Sequence, residues 1–290
     1  MKLLATGYRA GARLTRITPP SIRYGAAAWL TYAGYRLVPG RWEAARSNYA
    51  AVLGLPADDP AVAELARQAF ENYGRMLADF FLVGDLSPEQ VRELIVPDGE
   101  EHVWKALEAG RGAILALPHM GSWDVAGALA GVFGMPIVAV ADPMPGSLDE
   151  EVVRNRSAHG MRIIPLGRQA VREIYAALDQ NGLVALLCDL PHGPGTEVRF
   201  FGLRATVPGG PASIAIRRQV PILPTYVYRV PGNRYHVHVD PPIQPPAERG
   251  KAAEQALMQE VVRHFEGFIH QHPDQWYAFW PLLQEDTGAP

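Results

Sequence analysis

From residue 112 onward the chain alternates short apolar runs with helical segments, and this alternation restricts the fold more than any other feature of the sequence. The runs 113–117, 136–141, 162–166, 183–188, 220–230 and 235–239 have the length and aliphatic content of strands. Between them, 123–133, 148–159 and 169–180 carry helical spacing. Such an order predicts an α/β fold whose central sheet is largely parallel in its first part and flanked by helices. Residues 196–201, the turn Val207-Pro-Gly-Gly-Pro211 and a helical run over 212–218 complete this body.

Residues 1–95 lack strand-like alternation and read as helices broken at Thr18-Pro-Pro-Ser21, Val38-Pro-Gly40 and Leu55-Pro-Ala-Asp-Asp-Pro60, with 61–81 the clearest helix. Nothing between the two parts resembles a flexible linker. The expectation is a helical N-terminal extension, 1–95, belonging to the same domain as an α/β body over 96–290.

Composition removes several function classes. With 48% hydrophobic and 20% charged residues in 290, the chain is a packed globular protein rather than a disordered one. The single cysteine, Cys188, excludes an intramolecular disulfide framework and a cysteine metal cluster. A net charge of −3 leaves no general nucleic-acid footprint. The charge is nevertheless uneven, because the first 46 residues hold eight Lys/Arg against one acidic residue, Glu43. No apolar run approaches the roughly 20 residues of a membrane-spanning helix, and the N-terminus lacks a signal-peptide core, so the expectation is a cytosolic or peripheral protein.

The stretch Ile114-Leu-Ala-Leu-Pro-His-Met-Gly-Ser-Trp-Asp124 ends a strand and offers an imidazole followed five positions later by a carboxylate. Strand ends that open into helices are where α/β proteins bind ligands. If the loop folds His119 back towards Asp124, the carboxylate can orient the imidazole and stabilise its protonated form, making His119 a general base. The alternative is structural: Ser122 and Asp124 start a helix, and His119 fills a polar corner. Asp189 favours chemistry, since it follows the apolar run 183–188 and would join His119 and Asp124 on one rim if the two strands are neighbours.

Other groups read as structural. Cys188 lies inside an apolar run and behaves as a core residue. His236 and His238 share a strand face and would hold a metal given a third ligand, but a polar row on an antiparallel edge strand gives the same alternation. His192-Gly-Pro-Gly195 lacks the lysine and helix of a phosphate-binding loop and reads as a mobile loop, and no G-x-S-x-G elbow is present.

Taken in order, Pro118-His-Met-Gly-Ser-Trp-Asp124, Cys188-Asp-Leu190, Val198-Arg-Phe-Phe-Gly202, Gly210-Pro-Ala212 and Val220-Pro-Ile-Leu-Pro224 resemble the bacterial lipid A lauroyl/myristoyl acyltransferase family, which includes the phosphatidylinositol mannoside acyltransferases. Arg46-Ser-Asn-Tyr49 and His272-Pro-Asp-Gln-Trp276 extend the resemblance over most of 40–283. It implies a glycerophosphate-acyltransferase-like α/β fold and transfer of a fatty acyl group from acyl-CoA or acyl carrier protein to a hydroxyl of a membrane glycolipid. A phosphatidylinositol mannoside is favoured as acceptor over a lipid A precursor or a lysophospholipid, and no cofactor or metal is implied. His119 matches the family's histidine and Asp124 its acid; Asp189 falls at a strand end where relatives are often acidic, and Arg156 matches a recurrent arginine expected to bind substrate. Leu190-Pro-His192 departs from the charged residues that often follow Asp189.

A lipid acceptor also gives meaning to the N-terminal arm. Leu3, Leu4, Tyr8, Leu14, Ile17, Trp29, Leu30, Tyr32, Tyr35 and Leu37 are interspersed with arginines. Arg9, Arg13, Arg16 and Arg23 are expected to meet an anionic membrane surface at the cytoplasmic face. Ordinary packing against the body is the alternative for the same residues. A metal-dependent hydrolase using His119, Asp124, His236 and His238, or an idle lipid-binding module, are the rival functions.

Overall fold

The computed structural model describes residues 2–38, 40–193 and 195–284, with side chains described from residue 5. Leu3 and Leu4 of the N-terminal arm lie outside the described side chains, and Pro194 of the 192–195 loop lies outside the described residues. Four helices open the chain: α1 (Lys2–Ile17), α2 (Pro20–Arg36), α3 (Arg41–Leu53) and α4 (Pro60–Val83). α4 starts where Asp59 accepts a 2.8 Å hydrogen bond from the Ala61 amide and Pro60 occupies a position that needs no donor. α2 lies so close to it that a Cβ on Gly74 would stand 2.3 Å from the carbonyl oxygen of Ala27.

α5 (Pro88–Leu94), closed by a capping box between Ser87 and Gln90, leads into β1 (Ile95–Asp98) and α6 (Glu100–Glu108). The expected alternation follows as β2 (Ala113–Leu117), α7 (Trp123–Val132), β3 (Ile137–Ala141), α8 (Ser147–Ser157), β4 (Arg162–Pro165), α9 (Ala170–Asp179) and β5 (Leu183–Leu187). β6 (Gly195–Phe200) and β7 (Leu203–Pro208) form a separate antiparallel hairpin whose outer strand is held by Gln255 and Gln259 of α11 (Lys251–Gln271). Between them come α10 (Gly210–Arg218), β8 (Ile222–Val230) and β9 (Arg234–Val239).

The main sheet has the order β1-β9-β8-β2-β5-β3-β4. Strands β8, β2, β5, β3 and β4 run parallel; β9 turns antiparallel to β8, and β1 follows β9. Parallel strands covered on both sides need continuous apolar sequence, and every residue of β2 is buried. One face, including Ile114, Ala116, Val138 and Val184, packs with Ile174 of α9, Ile214 of α10 and Val261 of α11. The opposite face, including Leu115, Leu117, Ile137 and Leu183, packs with Val103 of α6 and with Val125 and Leu129 of α7.

Three differences from the sequence reading have physical causes. Residues 95–98 form a strand because they find β9 as a partner, which local spacing does not reveal. The helix over 251–271 was not anticipated, although Leu257, Val261, Phe265 and Ile269 repeat every four residues and are all buried. β9 is not an edge strand, since β1 flanks it, so its histidines are not an exposed polar row.

The N-terminal helices join the sheet through a buried polar tie. Asp79 of α4 is 7% exposed and bonds Tyr24 of α2 at 2.6 Å, together with Arg229 of β8 and Tyr235 of β9. Aromatic packing reinforces it, with Phe70 of α4 stacked 4.1 Å from Phe279 and 4.9 Å from Tyr35 of α2.

Candidate active site

β2 and β5 are paired in register, with Leu117 opposite Leu187, so His119 and Asp189 leave the sheet side by side at the same rim. The loop carrying His119 is fixed by its backbone: His119 C=O accepts from the Tyr277 amide at 2.8 Å, and the Gly121 amide donates to Gln275 at 3.1 Å. Gly121 has φ +58°, and a Cβ there would stand 2.0 Å from the carbonyl oxygen of Val227, so only glycine lets the loop lie against β8.

Nδ1 of His119 lies 2.6 Å from Oδ1 of Asp189, whose other oxygen accepts from the Trp276 indole N–H at 2.7 Å. Asp189 and Trp276 are fully buried. A carboxylate in that position accepts from Nδ1–H, which places the free lone pair on Nε2. Among the described residues Nε2 has no protein partner. The ring is positioned by an edge contact with Trp123, with centroids 5.4 Å apart.

Asp124 does not bond His119, contrary to the expectation that it orients the imidazole. It sits in the first turn of α7, 4% exposed, and accepts from Nε of Arg156 at 2.7 Å. α7 fixes the direction in which Asp124 leaves the backbone, and its carboxylate meets Arg156 in the last turn of α8. The imidazole is instead left to Asp189. Arg156 also lies over the Phe80 ring, 5.5 Å from its centroid.

His119, Trp123, Asp124 and Arg156 all line a cavity of about 1090 Å³. The cavity continues between the sheet, at Leu115, Leu117 and Ala185, and one side of α7, at Ala126, Gly127, Ala130 and Phe133. At 1.5 Å per residue, the 10 residues of α7 span about 15 Å, so the cavity that follows the helix to Phe133 at its end is long as well as apolar. Gly127 faces Met161, another lining residue, and a Cβ there would stand 2.6 Å from its Sδ, so a larger residue would displace that side chain. The small residues of α7 were the available sequence signal for this cavity.

The remaining candidates separate from the site. Cys188 is buried, and burial pushes its thiol well above the ordinary value, with the Asp189 charge adding to the rise. His238 is bonded to Asp98 and at 3.0 Å to Asp240, while His236 packs against Tyr228 with centroids 5.1 Å apart. Among the described residues no group of three or more His, Cys, Asp or Glu side chains is placed to hold a metal ion. His192 lies at the cavity mouth, 3.6 Å from Asp142. Trp276 and the Tyr277 amide were missed as site residues; the block ending in Trp276 was legible, but its distance in sequence from His119 concealed the contact.

On the N-terminal arm, Arg9 is 3.8 Å from Glu151 and Arg16 pairs with Asp85, both remaining more than half exposed. Arg23 turns back to donate to the Thr15 carbonyl at 3.1 Å, whereas Arg13 has no partner among the described residues. Tyr8, Tyr32 and Tyr35 pack inward. Leu14, Ile17, Ile22, Trp29, Leu30 and Leu37 are exposed, and no helix among the described residues is long and apolar enough to cross a membrane.

Residues 4–285 match the family model described as bacterial lipid A biosynthesis acyltransferase. The phosphatidylinositol mannoside acyltransferase of Mycolicibacterium smegmatis is 32% identical over 290 aligned positions, covering 97% of this chain and 92% of the relative. That of Mycobacterium tuberculosis is 31% identical over 272, covering 90% and 83%. The crystal structure of a 1-acyl-sn-glycerophosphate (LPA) acyltransferase from Thermotoga maritima aligns with TM-score 0.40 and 15% identity, covering 83% of this chain and 97% of that chain.

Proposed function

The chain belongs to the bacterial lipid A biosynthesis acyltransferase family and is an acyltransferase of the lipid A or phosphatidylinositol mannoside type; on that premise we propose that it moves a fatty acyl group from coenzyme A to a hydroxyl of a phosphatidylinositol mannoside. The observation that carries the reading is the His119–Asp189 pair at the head of a long apolar cavity. An acyl chain lies along α7, with its thioester carbonyl beside His119. Two relatives named for a mannoside acceptor, similar over nearly their whole length, support that acceptor.

In this mechanism Nε2 of His119 takes the proton of the acceptor hydroxyl as its oxygen attacks the thioester carbonyl. Asp189, fixed by Trp276, holds Nδ1–H and stabilises the imidazolium that forms. The tetrahedral intermediate collapses with cleavage of the carbon–sulfur bond, and the departing sulfur takes the proton back from Nε2. A thioester already has a good leaving group, so positioning and one base supply the chemistry. Arg156 has its Nε committed to Asp124 and presents the rest of its guanidinium to the cavity, where it binds an anionic or carbonyl oxygen of substrate.

The exposed apolar residues of α1 and α2 lie in the interface of a membrane at its cytoplasmic face, with Arg13, Arg9 and Arg16 near anionic headgroups. The acceptor then keeps its tails in the bilayer while its headgroup reaches His119. Incubation of the full chain with palmitoyl-CoA and a phosphatidylinositol mannoside tests the reading. Acceptor-dependent thiol release and an acylated lipid by mass spectrometry are expected; neither product appearing overturns it.

A further inference from the structure

The block Arg46-Ser-Asn-Tyr49 sets two polar side chains, Asn48 and Tyr49, on the inner side of α3, and both are fully buried. Neither lines the catalytic cavity. Buried polar groups need partners, and these two find theirs on the backbone of residues 276–283. Nδ2 of Asn48 donates to the carbonyls of Ala278 at 2.9 Å and Trp280 at 2.7 Å, and its Oδ1 accepts from the Leu283 amide at 3.3 Å. The Tyr49 hydroxyl donates to the carbonyl of Trp276. Burial pushes this phenol well above its ordinary value, so it keeps the proton it donates. Arg41, at the start of the same helix, adds a 3.2 Å bond to the carbonyl of Phe279.

Residues 277–283 belong to no helix or strand, so no ladder of their own fixes them. Side chains of α3 take that place on one side of the segment. On its other side the segment holds the candidate catalytic pair: the Trp276 indole donates to Asp189 at 2.7 Å, and the Tyr277 amide donates to the carbonyl of His119 at 2.8 Å. Met120 and Trp276 also form an antiparallel bridge. Trp276 is thus gripped at its carbonyl by Tyr49 and grips Asp189 with its ring. A shift of the backbone at 276 carries the indole with it, and hydrogen bonds weaken steeply as their geometry degrades.

We propose that Asn48 and Tyr49 are positioning residues for acyl transfer: they hold residues 276–280 so that Trp276 and Tyr277 keep Asp189 and His119 in the geometry for proton transfer. The inference rests on the role of His119 proposed above. Hydrogen bonds connect the Tyr49 hydroxyl, Trp276, Asp189 and Nδ1 of His119 in one series. A misplacement of about 1 Å at the reacting groups costs on the order of 10²-fold in rate, so smaller shifts are also felt. Because neither side chain reaches the cavity, their effect falls on kcat rather than on the binding of either substrate. A contribution to stability alone gives a different pattern, a lower Tm with unchanged turnover per folded molecule.

Tyr49→Phe is the first test, since it keeps the ring and removes only the hydroxyl. Its kcat in acceptor-dependent thiol release from palmitoyl-CoA is expected to fall about tenfold, with KM for palmitoyl-CoA unchanged. Asn48→Ala, normalised to folded protein by circular dichroism, is expected to lose at least as much. In isotope-labelled protein the indole N–H resonance of Trp276, assigned by its disappearance in Trp276→Phe, is expected to shift in Tyr49→Phe. The double variant Tyr49→Phe, Trp276→Phe is expected to be little slower than Trp276→Phe alone, because the two act along one path. Wild-type kcat in Tyr49→Phe overturns the proposal, as does a loss carried by KM or one that repeats in full on the Trp276→Phe background. If the wild type transfers no acyl group, the function proposed above fails, and the indole resonance alone then decides the positioning: a shift in Tyr49→Phe supports it and an unmoved signal overturns it.

Discussion

The carboxylate of Asp189 stands 2.6 Å from Nδ1 of His119, although the two residues are 70 positions apart in the chain. Asp189 reaches that place because β5 lies next to β2, and it is held there by the indole of Trp276. The imidazole proposed as the base and the carboxylate that holds it therefore come from the ends of neighbouring strands, and the indole of Trp276 is brought to that carboxylate from the far end of the chain.

His119→Ala and Asp189→Asn are both expected to lower kcat, by about 10²- to 10⁴-fold for the base and by a comparable amount for Asp189. Both variants should remain folded, as judged by circular dichroism, because neither removes apolar volume. Steady-state thiol release measures the effect; near-normal turnover by either variant contradicts the dyad.

Breaking the Asp124–Arg156 pair is expected to act mainly through stability and substrate binding. Arg156→Ala leaves the 4% exposed Asp124 as an unpaired buried charge, at a cost of about 3 kcal/mol. Thermal unfolding should show a lower Tm, and KM should rise more than kcat falls. A variant with wild-type Tm and unchanged KM would remove Arg156 from both roles.

Trp29→Ser with Leu30→Ser removes two of the most exposed apolar side chains of α2. This variant, and Arg13→Glu, should float less well with vesicles containing anionic lipid, and should lose turnover on bilayer-embedded acceptor. Turnover on a soluble short-chain acceptor should survive. Unchanged flotation of both variants would remove α1 and α2 from the membrane contact.

The cluster of Asp98, His238, Asp240 and His264 makes stability depend on pH. For His238 burial lowers the pKa, but the bonds to Asp98 and Asp240 outweigh it and leave the value raised. For Asp240 burial raises it, and the bonds to His264, His238 and Tyr226 outweigh that and leave it lowered. The raised histidine contributes stability below its unfolded value, about 6.5, and loses it as pH rises through the folded value. The lowered aspartate contributes above about 3.9 and loses its part as pH falls through its folded value. The Tm advantage of wild type over His238→Gln should therefore be largest near about pH 5 and shrink by about pH 9. A constant difference across that range would show that His238 is not charged by this cluster.

Much of this architecture is legible in the chain before it folds. The fully apolar run of β2 requires burial on both faces, which restricts it to the middle of a parallel sheet. Pro and Gly punctuation places the helices of the N-terminal region, and the abrupt change after Leu117 marks His119 as the residue at a strand end. Strand ends in such sheets form ligand-binding rims regardless of what is bound.

What periodicity does not encode is which strands become neighbours, because that depends on the order in which helices cross the sheet. The pairing of β2 with β5, rather than with β3, brings Asp189 to His119 and leaves Asp124 to Arg156 of α8. Spacing in sequence favoured Asp124, five residues from His119, since a local loop is the simplest way to join two polar groups. In the folded protein Asp124 is taken up by Arg156 instead, and a carboxylate 70 residues away at the end of the neighbouring strand is the one that reaches the imidazole. The sequence determined the type of sheet and the residue at its rim; packing decided which carboxylate holds that residue, because only the folded sheet sets the distance between groups that are remote along the chain.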